Sequence, residues 1–306
     1  MGRMVSLALA LLLMGGASCS RDRAAAQATA SPAPVQSTPA LVAKPESLPR
    51  VEHVVFVLFE NESPDGLPRD GFFARVAREG AYLEDCHGVA RPSQPNYLAL
   101  TSGDTHGASN DPVTLAVPHV GTRLEDKGLS WRCYAESYPG GCFLDATAPQ
   151  YARKHVPFLS YADVTSDSIR CAKQVMPLER FFDDVRAGTL PTYSFLSPNL
   201  DNDGHDKGPK HADAWATRVL GPLLSDPSFS KGTLLVVVFD EGHHGDAANR
   251  IYCAFWGEVV KPGARVLARV DHYGLLRTVE DLFGLPTLTA HDAAARRVSG
   301  IWRGTP

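Results

Sequence analysis

Two uninterrupted apolar segments constrain the fold of this chain more than any other feature. Residues 54–59 (VVFVLF) and 234–239 (LLVVVF) are rich in β-branched and aromatic side chains and do not alternate with polar residues. Such segments are typical of strands that are covered on both faces, as in parallel sheets that lie between layers of helices. Two further strands are predicted at 192–196 and near 251–256. The segments together predict a central, mostly parallel sheet.

Amphipathic helices separate these strands. Between residues 212 and 224, apolar residues recur at three- and four-residue spacing, and Pro222 is predicted to kink or split that helix. A second apolar stripe follows Asp271, a predicted N-cap, and ends at Gly284. Strands that alternate with helices favour an α/β fold built as a three-layer α/β/α sandwich.

The N-terminal residues have the pattern of an export signal. Arg3 precedes an apolar run at 5–14, which is followed by small residues and Cys19. A bilayer span needs roughly 20 apolar residues, so this run predicts a signal peptide over 1–19 instead of a membrane helix. Residues 16–19 resemble a bacterial lipobox, although Gly16 stands where leucine is preferred. Acylation of Cys19 and simple cleavage both stay open, and so do periplasmic, outer-membrane and secreted destinations.

Composition divides the rest of the chain into two parts. Residues 20–50 are rich in Ala, Pro, Ser, Thr and Gln and predict a flexible tether, whereas 51–306 predict one folded domain. The chain has 34 acidic and 30 basic residues, a net charge of −4. Without a basic excess, nucleic acid is not a predicted partner. Membrane association is predicted only through an anchor at Cys19, and the oligomeric state stays open.

Export makes disulfide bonds chemically accessible. Five cysteines lie beyond Cys19, so at least one of them has no partner within the chain. Cys142 and Cys171 flank one long irregular stretch and are the favoured pair. The alternative is that all five are buried free thiols.

Acidic and amide side chains follow both central apolar segments. Glu60 and Asn61 come directly after the first segment, and Asp240 and Glu241 directly after the second. Ligands of open α/β sheets bind at the carboxyl ends of the strands, and carboxylates that converge there repel each other unless a cation or a proton lies between them. Oxygen ligands predict one divalent ion, which could be Mg²⁺, Mn²⁺, Ca²⁺ or Zn²⁺. The alternative is a pair of ordinary solvated turns.

A serine and a histidine are further candidates. Ser93 stands between Pro92 and Pro95, just before a stretch that reads as a helix, and is either a residue at an anion site or an N-cap. His205 belongs to an Asn/Asp-rich stretch, 197–206, that follows the strand predicted at 192–196. Such stretches are usually Asx turns, but His205 makes this one a candidate phosphate contact.

Six motifs occur in the order seen in one family, and they cover most of residues 51–290. They are Glu60-Asn61, Pro92-Ser93-Gln94-Pro95-Asn96-Tyr97, Pro198-Asn199-Leu200 with Asn202-Asp203 and His205-Asp206, Asp213-Ala214-Trp215, Phe239-Asp240-Glu241-Gly242, and His272-Tyr273 with Leu276 to Asp281. The sequence resembles the phosphoesterase family of bacterial acid phosphatases and phospholipases C. The resemblance implies an alkaline-phosphatase-like fold and makes 51–306 a catalytic domain.

The resemblance also implies a role for each matching residue. Glu60, Asn61, Ser93, Asp240 and Glu241 would hold the metal ion, and Ser93 would be the nucleophile. Asn61 and His205 would contact the phosphoryl group. His272 is a weaker candidate for that contact, because it also begins a helix. His87 and His106 are candidates by proximity alone, and Glu62 departs from a pattern in which many members have a basic residue.

The resemblance therefore predicts an exported, metal-dependent hydrolase of small phosphate esters. The leading expectation is a phosphomonoesterase that acts through a phosphoserine at Ser93. The alternatives are a phospholipase C-like phosphodiesterase, for which 51–306 leaves no room for an added lipid-binding domain, and a tethered binding module without catalytic activity.

Overall fold

The computed structural model describes residues 46–304. The predicted signal peptide, Cys19 and most of the predicted tether lie outside these residues. Residues 46–50, the last part of that tether, lie against the folded unit. The Glu46 backbone carbonyl accepts a hydrogen bond from Arg297, its carboxylate accepts one from the Gly300 amide at 2.6 Å, and Leu48 packs against the core. Among the described residues, no helix is both long and apolar enough to cross a membrane.

Twelve strands and ten α-helices are present in the described residues. The strands are β1 (His53–Phe59), β2 (Ala81–Leu83), β3 (Cys86–His87), β4 (Trp131–Ala135), β5 (Thr147–Ala148), β6 (Tyr151–Ala152), β7 (Val175–Pro177), β8 (Tyr193–Ser197), β9 (Thr233–Phe239), β10 (Cys253–Trp256), β11 (Ala264–Val266) and β12 (Val270–Asp271). The helices are α1 (Phe72–Glu79), α2 (Ser93–Ser102), α3 (Val120–Asp126), α4 (Ala162–Thr165), α5 (Ser168–Gln174), α6 (Glu179–Ala187), α7 (Pro209–Val219), α8 (Pro227–Ser230), α9 (His272–Phe283) and α10 (Ala290–Ala294).

The central sheet has eight strands in the order β11-β2-β10-β9-β1-β8-β4-β7. Every pairing in it is parallel except the two that β10 makes with β9 and β2. The two strands predicted to be most deeply buried, β1 and β9, lie side by side at its centre, and their residues from 54 to 59 and from 233 to 239 are all buried. The predicted parallel sheet is confirmed.

Helices cover both faces of this sheet. Phe59 at the end of β1 contacts Phe73 of α1 and Trp215 of α7. Phe195 of β8, which pairs with Phe56, contacts Tyr97 of α2. Residues 56 and 59 point to opposite faces of a strand, so α1 and α7 lie on one side of the sheet and α2 on the other. The predicted three-layer sandwich is confirmed.

The two predicted helices are found with the expected ends. The first one spans α7 and stops at Val219, and a separate 3₁₀ turn follows at Gly221–Ser225 with Pro222 in its first turn. The second is α9, whose N-cap Asp271 accepts a hydrogen bond from the Gly274 amide and whose C-cap is Gly284 with φ +60°. Glycine adopts that left-handed conformation without a steric penalty.

The predicted disulfide is also present. Cys142 and Cys171 are bonded across 29 positions of sequence, with their Cα atoms 5.4 Å apart. Cys86, Cys133 and Cys253 are buried free thiols, so the alternative of five free thiols is wrong.

Candidate active site

The candidate site lies where β1, β8 and β9 end, because parallel strands deliver the residues that follow them to one edge of the sheet. The backbone joins the three strand ends directly. The Glu60 amide donates to the Asp203 carbonyl at 2.9 Å, and the Asp240 amide donates to the Phe59 carbonyl at 2.9 Å. The Glu60, Asp203 and Asp240 side chains are all at most 1% exposed. Residues far apart in sequence thus form one polar cluster above the apolar centre of the sheet.

Ser93 is the first residue of α2 and points into this cluster. Its hydroxyl donates to Oε2 of Glu60 at 2.8 Å and lies 3.3 Å from Oδ1 of Asn61. The N-cap of α2 is Pro92, and the Ser93 hydroxyl is engaged by Glu60 instead of capping the helix. The N-cap interpretation of Ser93 is therefore wrong, and the hydroxyl is placed beside two of the predicted metal ligands.

Asn61 links the acidic pairs of the two central strands. Its backbone amide donates to Oδ1 of Asp240 at 3.0 Å. The side-chain amide atom that faces Ser93 lies 3.1 Å from Oε1 of Glu241 and 3.2 Å from Oδ1 of Asp240, and the other amide atom lies 3.2 Å from Nε2 of His205. The residue has a φ of +53°, which is uncommon for a residue with a side chain. This conformation puts the backbone and the side chain of Asn61 on the same acidic cluster.

The carboxylates in this cluster lack enough positive partners. Burial, then the charge of Glu60, raises the pKa of Asp240 well above its ordinary value. Burial raises the pKa of Glu241 to about 7, against the opposing charge of Arg91, whose nearest nitrogen is 3.8 Å from Oε2 of Glu241. That Oε2 atom is buried and has no hydrogen-bond partner among the described residues. Burial is the main cause of both raised pKa values, and the unpartnered Oε2 of Glu241 is a buried acceptor that a cation or a proton would satisfy.

His205 lies at the mouth of the cluster. Its backbone amide donates to Oδ1 of Asp203 at 2.9 Å, and its Nδ1 lies 2.6 Å from Oδ1 of Asp206. The same stretch contains the predicted Asx turn, in which Oδ1 of Asn199 accepts from the amides of Asp201 and Asn202. The turn and the predicted contact are thus compatible, because the turn carries His205 to the site.

An open cavity of about 300 Å³ lies over the cluster. It is lined by Asn61, Glu62, Arg91, His205, Glu241, His243 and His244. Arg91 also donates to the backbone carbonyls of Gly242, His243 and Asp246, so it supports the loop after β9 as well as lining the cavity. Of the predicted site residues, the cavity exposes Asn61, His205 and Glu241, whereas Ser93 is 2% exposed and does not line it.

The structure does not bring His272 to this cavity, which corrects its predicted phosphate contact. His272 is wholly buried, and its Nε2 lies 2.5 Å from the backbone carbonyl of Asp240. A carbonyl oxygen can only accept a hydrogen bond, so Nε2 of His272 is the donor. His272 therefore supports the Asp240 backbone instead of facing the cavity. His87 and His106 also have structural partners, which are Asp85 with the Ala248 carbonyl and Ser102, respectively.

Sequence reasoning missed two residues of the cluster. The Tyr97 hydroxyl donates to Oε1 of Glu60 at 2.5 Å, and Nε2 of His155 lies 3.2 Å from the same oxygen. Tyr97 follows Ser93 by four residues on one helix, so the spacing of one helical turn was a usable signal. His155 lies in a 3₁₀ turn, Arg153–His155, and no pattern in the sequence marks it.

The comparison with known families decides the affiliation of the chain. The sequence pattern of the Phosphoesterase family matches residues 69–286. The chain belongs to the phosphoesterase family. Ser93, His205, Asp240 and Glu241 lie within the matched range, whereas Glu60 and Asn61 precede it. The predicted resemblance, and with it the prediction that this chain is a phosphoesterase, is confirmed.

Two named phosphatases are similar to this phosphoesterase over most of its length. A phosphatidylinositol-3-phosphatase of Mycobacterium tuberculosis is 34% identical over 263 residues, which are 84% of each chain. A phosphate-repressible acid phosphatase of Penicillium chrysogenum is 31% identical over 283 residues, which are 89% of this chain and 66% of the relative. The chain thus spans about two thirds of the length of the fungal relative.

Solved structures share the fold of the phosphoesterase. A protein of the alkaline phosphatase superfamily from Vibrio parahaemolyticus superposes with a TM-score of 0.59 at 10% identity, over 82% of this chain and 70% of that one. A phosphonate monoester hydrolase from Silicibacter pomeroyi gives 0.55 at 12% identity, over 82% and 78%. The predicted alkaline-phosphatase-like fold is confirmed.

Proposed function

We propose that this phosphoesterase is an exported, metal-dependent phosphomonoesterase that forms a phosphoserine at Ser93. One observation carries the proposal: the Ser93 hydroxyl lies 2.8 Å from Glu60 and 3.3 Å from Asn61, and Asn61 lines the substrate-sized cavity. A hydroxyl held by a carboxylate at the start of a helix is suited to attack a phosphoryl group, because helix N-termini favour anions.

The donor set fits a divalent cation. Carboxylate, amide and hydroxyl oxygens are the ligands that hard cations such as Mg²⁺, Mn²⁺ and Ca²⁺ prefer, and Zn²⁺ also accepts carboxylates. A cation would neutralise the Asp240 and Glu241 carboxylates and give the unpartnered Oε2 of Glu241 a partner. In the described residues, no three His, Cys, Asp or Glu side chains are close enough to hold an ion by themselves. Asn61 and Ser93 would therefore be needed alongside Glu60, Asp240 and Glu241.

When bound, the ion would supply Lewis-acid stabilisation of charge on the serine and phosphoryl oxygens. The residues of the chain account for the remaining steps. The Ser93 oxygen forms a bond to phosphorus while the bond from phosphorus to the alcohol oxygen breaks. Glu60 accepts the serine proton and later releases it to solvent, and the departing alcohol oxygen takes up a proton from solvent. His205 and Asn61 face the equatorial oxygens, where charge increases. Water then cleaves the phosphoserine, which releases phosphate and restores the hydroxyl.

The names of the relatives support a monoester over a diester substrate. Both the mycobacterial and the fungal relative are named as phosphatases. A phosphodiesterase of the phospholipase C type stays the alternative, and relative rates decide between them. We expect p-nitrophenyl phosphate to be hydrolysed much faster than bis(p-nitrophenyl) phosphate or phosphatidylcholine. Preferential release of phosphocholine would instead favour the diesterase.

Acid quenching of the enzyme during turnover tests the mechanism directly. We expect tryptic mass spectrometry to find a phosphate on Ser93 in the wild type and none in Ser93→Ala. Ser102→Ala is the matched control, since Ser102 ends the same helix and donates to the Leu98 carbonyl. Turnover with phosphate on no side chain would reject the covalent step, and a protein that neither binds divalent ions nor hydrolyses any phosphate ester would be a binding module.

Export is the other part of the proposal. The pattern at residues 3–19 predicts it, and the Cys142–Cys171 disulfide supports it, because structural disulfides persist mainly in oxidising compartments. Labelling of expressing cells with a palmitate analogue tests acylation of Cys19. A label that is lost in Cys19→Ala supports a lipoprotein, whereas an unlabelled and soluble periplasmic product supports simple cleavage.

A further inference from the structure

His155 is a buried histidine for which neither the motifs nor the proposed chemistry gives a role. It is 4% exposed and lies between two carboxylates of the candidate site. Its Nε2 is 3.2 Å from Oε1 of Glu60, and its Nδ1 is 3.6 Å from Oδ2 of Asp203. One imidazole thus separates two buried acidic side chains that come from the ends of different strands.

Three groups surround the Glu60 carboxylate, and two of them, Ser93 and Tyr97, donate hydrogen bonds to it. Oε2 accepts from Ser93, and Oε1 accepts from Tyr97 at 2.5 Å and faces His155. The rings of His155 and Tyr97 are stacked, with centroids 5.4 Å apart and an angle of 10° between their planes. Because α2 carries both Ser93 and Tyr97, His155 is the group on Glu60 that comes from outside that helix.

The other edge of His155 faces the turn that carries His205. Oδ1 of Asp203 accepts from the His205 amide at 2.9 Å, while Oδ2 of Asp203 is buried and has no hydrogen-bond partner in residues 46–304. An apolar side chain in place of the imidazole would leave Glu60 and Asp203 facing each other with no polar group between them.

We propose that His155 is a positioning residue that holds the Glu60 carboxylate in the orientation in which it meets the Ser93 hydroxyl. This inference rests on the proposed function, since it assigns Glu60 a task in the same reaction. In this proposal His155 does not touch the substrate and acts only through Glu60. The Asp203 carboxylate lies on the other side of the imidazole, 3.6 Å from Nδ1. Groups that orient a metal ligand or a catalytic carboxylate typically affect activity or metal affinity by about 10–100-fold.

Three substitutions separate the contacts of His155. Glutamine can place an amide near the position of Nε2, asparagine places one near Nδ1, and phenylalanine keeps the ring against Tyr97 but removes both polar edges. We expect kcat for p-nitrophenyl phosphate to fall about 10–100-fold in His155→Phe and His155→Asn, with KM changed far less. His155→Gln should recover most of kcat, because it restores the contact to Glu60.

Metal affinity provides a readout that does not depend on turnover. Equilibrium dialysis with Mn²⁺ should show weaker binding in His155→Phe and recovery in His155→Gln, in the same order as kcat. His119→Phe is the matched control, since His119 is also buried and has similar neighbours. Its ring stacks on that of Tyr161, with centroids 4.4 Å apart, and its Nε2 lies 3.2 Å from Oδ2 of Asp163. It should lower the melting temperature without changing kcat or Mn²⁺ affinity.

The outcomes distinguish this inference from the proposed function. Equal kcat and Mn²⁺ affinity in the wild type and His155→Phe would overturn the positioning role, and so would a His155→Gln protein as impaired as His155→Phe. A wild type that binds Mn²⁺ but hydrolyses no monoester would reject the proposed function alone, and the dialysis series would then still decide the role of His155.

Discussion

The Ser93 hydroxyl donates a 2.8 Å hydrogen bond to the Glu60 carboxylate, although the two residues are 33 positions apart. Glu60 follows the central strand of the sheet, and Ser93 begins the helix that packs on one face of it. The carboxylate is fully buried, and Tyr97, from the next turn of the same helix as Ser93, occupies its other oxygen. Two hydrogen bonds thus join the strand end to the first turns of the helix.

Removal of the nucleophile is expected to abolish turnover. Ser93→Ala deletes the oxygen that would attack phosphorus, and loss of a catalytic nucleophile typically lowers kcat by roughly 10⁴–10⁶-fold. Steady-state kinetics with p-nitrophenyl phosphate measure the effect, and Ser102→Ala should stay within about twofold of the wild type. Full activity in Ser93→Ala would show that another group attacks.

Loss of a carboxylate from the cluster should weaken metal binding. Asp240→Asn removes a charge that burial already makes costly, and Asp183→Asn changes the same charge at a half-buried position on α6. We expect elemental analysis after gel filtration to find about one ion per wild-type chain and substantially less in Asp240→Asn. EDTA should stop turnover, and added divalent ions should restore it. A chelated protein with undiminished activity would contradict the metal site.

His205 is expected to stabilise the transition state. Its Nε2 lies 3.2 Å from the Asn61 side-chain amide at the cavity. In the proposed mechanism His205 donates to the phosphoryl oxygens, and His205→Ala would remove that donor. Loss of one such donor typically costs about 10²–10³ in kcat. His291→Ala is the control, because His291 is exposed on α10 and stacks on Tyr273. If the two variants are equally active, His205 does not serve the reaction.

A buried acid far from the cavity should make stability depend on pH. Burial, then the neighbouring Asp292, raises the pKa of Glu280 on α9 to about 9, from an ordinary value of 4.5. The folded state therefore retains a proton that the unfolded state loses, so the free energy of unfolding falls as pH rises from about 4.5 to about 9. The contribution of Glu280 to the free energy of unfolding is fully present below about pH 4.5 and is lost by about pH 9.

Glu280→Gln should remove this dependence, because the amide does not titrate. We expect the difference in melting temperature between pH 5 and pH 8 to shrink, with Glu258→Gln, at an exposed position, leaving it unchanged. Thermal unfolding by circular dichroism in matched buffers measures both variants. An equally steep decline in Glu280→Gln would mean that other groups set the pH dependence.

The disulfide should contribute measurably to stability. It closes a segment of 29 positions, and constraint of an unfolded loop of that length is worth about 3–4 kcal/mol in the chain-entropy model. The double variant Cys142→Ser with Cys171→Ser should unfold at a lower urea concentration than the wild type. Cys133→Ser keeps the disulfide and reports on a buried thiol instead. An unchanged urea midpoint in the double variant would contradict this contribution.

Much of this protein is determined by the sequence itself. Apolar segments without alternation predicted the two central strands, because a strand covered on both faces has no side on which to place polar residues. Asp271, Gly284 and Pro222 marked helix ends, since capping and ring geometry act within a few residues. Acidic and amide residues directly after these strands indicated the candidate site, because parallel strands end at one edge.

Only the tertiary structure decided which side chains meet there. His155 contacts Glu60 from a 3₁₀ turn 95 positions further along the chain, and no local pattern encodes such a contact. His272 matched a family motif, yet packing turned it toward the Asp240 carbonyl and away from the cavity. Ser93 could have capped its helix or faced the carboxylates, and the position of α2 against β1 settled this. Local interactions define the elements, whereas long-range packing selects the partners of each polar group.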